Sequence, residues 1–443
     1  MKRILTLLFL LNSAIFAFAQ TTFSWRNDQN PADNASWVST SPYYFWNGTT
    51  GAVPSGSEIL FFDGDKGTTM TNNLSATNRH KITFGSGGAA RTINGSTENQ
   101  FFEFGSTWPQ IRNNSSNTHT INFPIKGSSN NGFNLELFAS TASLIFGGAI
   151  NNNGRTLQIY GNNSAVDATN RFIQINSVIS GSGVLNISQQ GVCKLGGVNT
   201  YTGETQIDRG ELWIESGSSI TSSTVYVGNG GQQTNIAKLW LSNTTGGTTF
   251  SNNLTINPGN YQTRYLGGLN TSGTHTFSGT VTNNAGNLSL SALNTGGTTE
   301  FSNAISGSGQ INIEGSGTVI LSGANTYTGL TYINAGKLNL NKTGGTTIPN
   351  TNNVTVDNAG LLTVSTNQTV NNLTILNNSN VTVESGVTLT INGTLALTSG
   401  KITLNGTGNL VIAGSITGAS STNYIVLNGS GGLIRNVASG TSP

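Results

Sequence analysis

From residue 381 onward, apolar residues alternate with small polar ones in short runs. Val381 and Val383, then Val387, Leu389 and Ile391, then Leu395 and Leu397 are separated by Thr, Asn, Ala and Gly. Ile402, Leu404, Leu410 and Ile412 continue the series. A period of two over a few residues describes a strand with one face in a core and the other in water. Ser-Gly, Asn-Gly and Gly-Thr-Gly between the runs are turn signals. Beyond the first twenty residues no segment sustains the spacing of an amphipathic helix, so the pattern predicts an all-β chain of many short strands.

The same pattern repeats over a longer range. Ile179-Ser180-Gly181-Ser182-Gly183 recurs as Ile305-Ser306-Gly307-Ser308-Gly309. Asn199-Thr200-Tyr201-Thr202-Gly203 recurs as Asn325-Thr326-Tyr327-Thr328-Gly329, and Gly210-Glu211-Leu212 as Gly336-Lys337-Leu338. All three pairs stand at one offset, 126 residues (179 to 305, 199 to 325, 210 to 336). A constant offset without insertions marks a repeated structural unit. A looser motif, an aromatic anchor followed by a turn and an alternating strand, opens at Phe146, Phe250, Phe277 and Phe301. Short strands of this kind build a sandwich, a meander or a solenoid. The long self-similarity and the scarcity of charge favour a right-handed parallel β-helix, in which coils of about 20 residues stack so that like residues form ladders. Four of the six tryptophans, Trp25, Trp37, Trp46 and Trp108, lie in the first quarter. We read residues 20–140 as an aromatic-rich N-terminal cap with the first coils, and residues 141–443 as the repeat region.

Composition narrows the setting. Lys2 and Arg3 precede an apolar stretch from Ile4 to Phe16, and Ala17-Phe18-Ala19 supplies small residues before Gln20. This is the layout of a secretory signal peptide, residues 1–19, too short for a comfortable membrane span. Without Lys2 and Arg3 the 19 basic residues become 17, against 17 acidic ones. The mature chain is then formally neutral and has no basic footprint for nucleic acid. No later apolar run approaches a transmembrane length. The single cysteine, Cys193, rules out an intramolecular disulfide and a multi-cysteine metal site, so packing and backbone ladders must supply the stability.

The stretch from Ser180 to Ile214 resembles the autotransporter-associated β-strand repeat: a Gly-rich opening, an alternating apolar strand, Asn-Thr-Tyr-Thr-Gly, then Gly-x-Leu. Ser306 to Leu340 is a second copy, with Leu321-Ser322-Gly323 before the Asn-Thr-Tyr-Thr-Gly and Ile333-Asn334-Ala335-Gly336 after it. The region from Trp25 to Ile93 is similar to the opening of such proteins. The resemblance implies a β-helical passenger displayed on, or released from, a Gram-negative cell. Nothing after residue 381 has the character of the membrane barrel that ends a full autotransporter. The stretch from Ile434 to Pro443 resembles the interior of longer Bacteroidetes-type secreted proteins.

Candidate chemistry is sparse. A carbohydrate-active β-helix, a lyase or hydrolase, would use clustered carboxylates, and the best local set is Glu204, Asp208, Arg209, Glu211 and Glu215. At the repeat offset these become Leu330, Asn334, Ala335, Lys337 and Asn341. The apolar frame repeats and the charges do not, which we read as drift on a solvated face. Asp63-Gly64-Asp65 reads as a turn. His80, His119 and His275 lack metal spacing, and no metal or cofactor is expected. Cys193 corresponds to Val319, so it reads as a small buried hydrophobe. Tyr201 and Tyr327 read as packing at coil corners. Tyr43, Tyr44 and Trp46 are the candidate binding residues, since exposed rings stack on sugar faces, although core packing is the commoner fate of aromatics. Outward threonines such as Thr388 and Thr390 raise ice binding as a weaker idea. The reading as a whole is a non-catalytic stalk or adhesin-type module whose partner is a glycan or a host or cell-surface protein.

Overall fold

The computed structural model of the protein describes residues 110–435 apart from 128–133, 162–170, 222–223, 229–235, 258–263 and 285. Upstream it describes residues 81–86 and 90–95 and short strands between residues 22 and 103. The signal-peptide segment, Asp63, Asp65, His80, Tyr43 and Tyr44 lie outside the described residues. Among the described residues there is no helix. The strands run two to seven residues, and from Ile59–Phe62 onward every pairing is parallel and joins one coil to the next. The chain is a parallel β-solenoid.

A full turn lays down three strands, which stack into three faces; the turns of residues 331–340 and 354–364 lack the strand on the first. The turn that holds the first repeat copy shows the order: Leu185–Ser188 on the first face, Gly191–Leu195 on the second, Val198–Asn199 on the third. Alternation places the same set of residues inward on every strand. On the second face Ile121, Phe146, Ile175, Leu195, Ile214 and Leu241 lie directly over one another, and all are buried. On the third face Phe250, Phe277 and Phe301 form an inward aromatic ladder, with the last two rings stacked at 4.8 Å. Every apolar residue named above in the run from Val381 to Ile412 is buried. Each such side chain removed from water is worth about 1.5–3 kcal/mol. The ladders cross residue 140 in register, since Ile111 faces Leu137 and Leu137 faces Ile159. At the N-terminal end, strand Thr22–Trp25 pairs in parallel with Ile59–Phe62 on one side. On its other side it pairs antiparallel with Phe45–Trp46, which in turn pairs with Gly51–Ala52.

The Asn-Thr-Tyr-Thr-Gly motifs sit where the backbone ladder is interrupted, and side chains replace it. Asn325 Oδ1 accepts the N–H of Ile305, one turn before, at 2.8 Å. Its Nδ2 donates to Thr347 O, one turn after, at 2.9 Å, and to Gly323 O at 3.2 Å. Asn199 makes the same three bonds to Ile179 N, Ser219 O and Gly197 O. Tyr327 and Tyr201 are fully buried, and each hydroxyl bonds the threonine four residues on, Thr331 at 2.7 Å and Thr205 at 2.6 Å. The motif glycines are steric: a Cβ on Gly203 would collide with Gly183 O, and one on Gly329 with Gly309 O.

The two copies occupy different faces. Ile179–Ser180 stacks on the third face, whereas its counterpart Ile305–Gly307 continues the first. Gly210–Ile214 lies on the second face and Lys337–Leu340 on the third. The repeat therefore recurs rotated by one face.

Candidate functional site

On the second face the outward positions form two columns, read from the register. One runs Glu211, Lys238, Tyr265, Ser289, Asn312. The other runs Lys194, Trp213, Trp240, Gly267, Ser291, Glu314. Large side chains run as far as Trp240 in one column and Tyr265 in the other and return at Glu314, with the small Gly267, Ser289 and Ser291 between. That size sequence cuts a groove of about 460 Å³, lined by Trp213, Trp240, Tyr265, Leu293, Asn294 and Glu314, with the Glu211–Lys238 pair beside it. Gly267 is required here, because a Cβ would come within 2.7 Å of the Trp240 ring and would also meet the backbone of Ser291. Trp240 is thereby folded down over the next turn and is nearly buried, with the Tyr265 ring tilted beside it at 6.2 Å. Leu293, at the rim, is 46% exposed.

The groove's polar groups are held in place. Glu211 is buried, forms an ion pair with Lys238 at 2.8 Å, and accepts the Trp213 Nε1–H at 2.8 Å. Lys194 lies over the Trp213 ring at 4.6 Å and over Phe172 at 3.7 Å. Burial lowers the Lys194 pKa, opposed by Glu215 and Glu211. Glu314 accepts from Ser289 Oγ at 3.0 Å.

The carboxylates singled out from sequence divide between two faces. Glu204 immediately precedes the first-face strand Thr205–Ile207 and accepts from Gln206 at 2.7 Å. Asp208 and Arg209 form the corner after it, and Asp208 accepts from Asn186 at 2.7 Å. Burial raises the Asp208 pKa, and the Asn186 hydrogen bond opposes the rise. Glu211 belongs to the second face, and Glu215, just beyond its strand, accepts from Gln174 at 3.4 Å. The structure thus brings Glu211 into the groove and leaves Glu204 and Asp208 on the neighbouring face. Trp46 lies in a described strand, but only its backbone pairing is described.

The remaining candidates are interior or interrupted. Cys193 is fully buried, and burial pushes its thiol pKa up. His119 is buried against Phe84 with ring centroids 4.0 Å apart; it accepts the Arg91 N–H at Nδ1 and meets Ser115 Oγ at Nε2. Burial and then Arg91 lower its pKa to about 3. His275 is buried too, bonded to Thr248 N and Asn243 O. Among the described residues no group of three or more His, Cys, Asp or Glu is placed to hold a metal. Thr390 faces Thr369 on one side but Val411 on the other, so that threonine ladder ends after one step.

Trp213, Trp240, Tyr265 and Glu314 were not among the residues singled out from sequence. A signal existed: Glu211-Leu212-Trp213-Ile214 and Lys238-Leu239-Trp240-Leu241 each place a tryptophan at the outward position of a buried strand.

Compared with known proteins, two segments, residues 190–214 and 314–340, match the passenger-associated-transport-repeat family model. Both fall inside the two repeat copies. No curated protein and no solved structure matches the chain. The repeat matches and the parallel β-solenoid together support an autotransporter passenger-type repeat protein. Among the described residues no helix is long and apolar enough to cross a membrane.

Proposed function

We propose that the chain is a secreted or surface-displayed passenger of a Gram-negative bacterium that serves as a stalk or adhesin-type binding module without catalysing a reaction. The signal-peptide layout of residues 1–19 and the passenger-type repeats support this location. A right-handed winding accords with the preferred hand of parallel strand crossovers. The antiparallel strand Phe45–Trp46 against the first parallel strand supports a role for the N-terminal region in closing the sheet edge.

One observation carries the non-catalytic reading. Glu211 and Glu314, the two carboxylates of the groove, are four turns apart in the ladder. At about 4.8 Å per turn their strands are separated by about 19 Å. Glycoside hydrolysis by paired carboxylates needs about 5–9.5 Å between them. A groove with aromatic walls and separated carboxylates is suited to holding a ligand. The test is to mix the secreted chain with a panel of polysaccharides and to measure both protein retained and sugar ends released. Retention without release is expected. Release abolished by Glu211→Ala would instead establish a carbohydrate-active enzyme.

A further inference from the structure

The groove on the second face has a composition that selects a ligand class. Its wall is aromatic, built from Trp213, Trp240 and Tyr265, and Leu293 extends the apolar rim. Aromatic faces beside a few placed polar groups suit a ligand with apolar faces and polar edges, the character of a pyranose ring. Two polar groups line the same space: Asn294, whose Nδ2 is held by Leu269 O at 2.7 Å, contributes an amide, and Glu314, on the next turn, a carboxylate. The volume of about 460 Å³ falls within the range of about 300–1,000 Å³ typical of small-molecule sites.

Charge narrows the class further. Glu211 is neutralised by Lys238, which leaves Glu314 as the one unbalanced charge among the lining side chains. An acidic sugar would bring a further carboxylate into a partly desolvated groove that already holds one with no cation paired to it among the described residues, which is unfavourable. We propose that this groove, bracketed by Trp213 of the first repeat copy and Glu314 of the second, binds uncharged pyranose units of a glycan. The proposal deepens the binding-module reading and rests on it, since a purely passive stalk would need no such site.

The bracketing follows from the fold. The repeat recurs rotated by one face, so the last strand of the first copy and an early strand of the second both lie on the second face. The turns between them supply Trp240, Tyr265 and the small residues Gly267, Ser289 and Ser291. The site is therefore made where two repeats face the same way, across the non-repeated turns between them.

The full chain is tested by affinity electrophoresis in gels containing neutral glucan, mannan or polygalacturonate, with calorimetry on neutral oligosaccharides for those that retard it. Retardation by a neutral polymer and none by polygalacturonate is expected. Tyr265→Ala and Trp213→Ala should each weaken association about tenfold. Tyr160→Ala, on the first face, should leave it unchanged, and circular dichroism checks that each variant keeps its sheet content. Equal binding by the folded Tyr265→Ala and Trp213→Ala variants would overturn the groove assignment while leaving an adhesin with its site elsewhere. Preference for the polyuronate would overturn the ligand class. No retardation of the wild-type chain by any neutral glycan would overturn the proposal and leave the stalk reading standing.

Discussion

Replacing Asn325 by alanine tests whether the motif side chains substitute for a missing strand. The first-face ladder of strands ends at Ile305–Gly307 and resumes at Gln368–Val370. In between, Asn325 bonds to the turns on both sides, and Gln368 Oε1 accepts Thr347 N at 2.9 Å and Ile348 N at 3.2 Å. Without the Asn325 side chain, the buried Ile305 N–H loses the 2.8 Å acceptor. An unsatisfied buried donor costs about 1–3 kcal/mol, and the lost bonds to two carbonyls add about 1 kcal/mol together, since Thr347 O still accepts from the Asn325 backbone N–H. The expected loss is about 2–4 kcal/mol. In a solenoid stability is a sum of local and nearest-neighbour terms, so the loss should be confined to the adjacent turns. Native-state hydrogen exchange reads this directly: the Ile305 amide should exchange about 30- to 1,000-fold faster, while amides in strand Ile173–Ile175 keep their rates. Asn199→Ala should do the same to the Ile179 amide, on a different face. An Ile305 rate within threefold of wild type would refute the reasoning, as would equal acceleration throughout the chain.

Four further outcomes follow from individual side chains. Tyr327→Phe removes the hydroxyl that bonds Thr331 in the core and should cost about 0.5–1.5 kcal/mol by denaturant unfolding, with Tyr201→Phe similar. Cys193→Val should change stability by less than about 1.5 kcal/mol, because the equivalent position holds Val319, and the native thiol should stay unreactive to a disulfide reagent until the chain unfolds. His119 is held neutral with a folded pKa of about 3, below the ordinary imidazole value of 6.5, so the unfolded chain binds the extra proton as the pH falls. Its contribution is complete above about pH 6.5 and declines below it, with about 2 kcal/mol lost by pH 5 and His275 acting in the same direction; a His119 Cε1 proton resonance that titrates between pH 5 and 7 in the native chain would contradict this. Tyr332→Phe removes the 2.6 Å bond that, ahead of those from Asn377 and Asn358, holds the Asp357 carboxyl below the usual range; the carboxyl carbon resonance should then titrate at higher pH.

Much of the fold was legible because a β-solenoid is written locally. Period-two alternation gave the inward residues from Val381 to Ile412 without knowledge of their partners, and the Asn-Thr-Tyr-Thr-Gly copies marked corners at which a buried tyrosine and a bridging asparagine recur with the same bonds. The groove was not legible in the same way. Its side chains are neighbours only across turns, at sequence separations that vary because the turns differ in length. Trp213 lies over Trp240 and Trp240 over Gly267, but Ser291 and Glu314 follow after shorter turns, so no single period finds them. The groove also depends on what is absent: small residues at 267, 289 and 291 make space, and composition weighs large groups more readily than gaps.

The rotation of the repeat by one face changes what its sequence comparison can decide. Glu204, Asp208, Arg209, Glu211 and Glu215 have uncharged or oppositely charged counterparts in the second copy, and this looked like drift on a solvated surface. That inference assumes that equivalent residues present themselves to the same side of the molecule. They do not: Glu211 points from the second face and Lys337 from the third. Inward positions meet the same core whichever face they occupy, so Cys193 and Val319 or Leu212 and Leu338 stay apolar in both copies. Outward positions meet a different set of neighbours in each copy, so their divergence is expected whether or not they serve a site. The repeat fixes a corner and a buried frame, which fit any face of a three-sided solenoid, and leaves the outer columns free to vary. A ligand site on such a scaffold should therefore be sought down a column of register partners, as in Trp213, Trp240 and Glu314, rather than by comparing one repeat with the next.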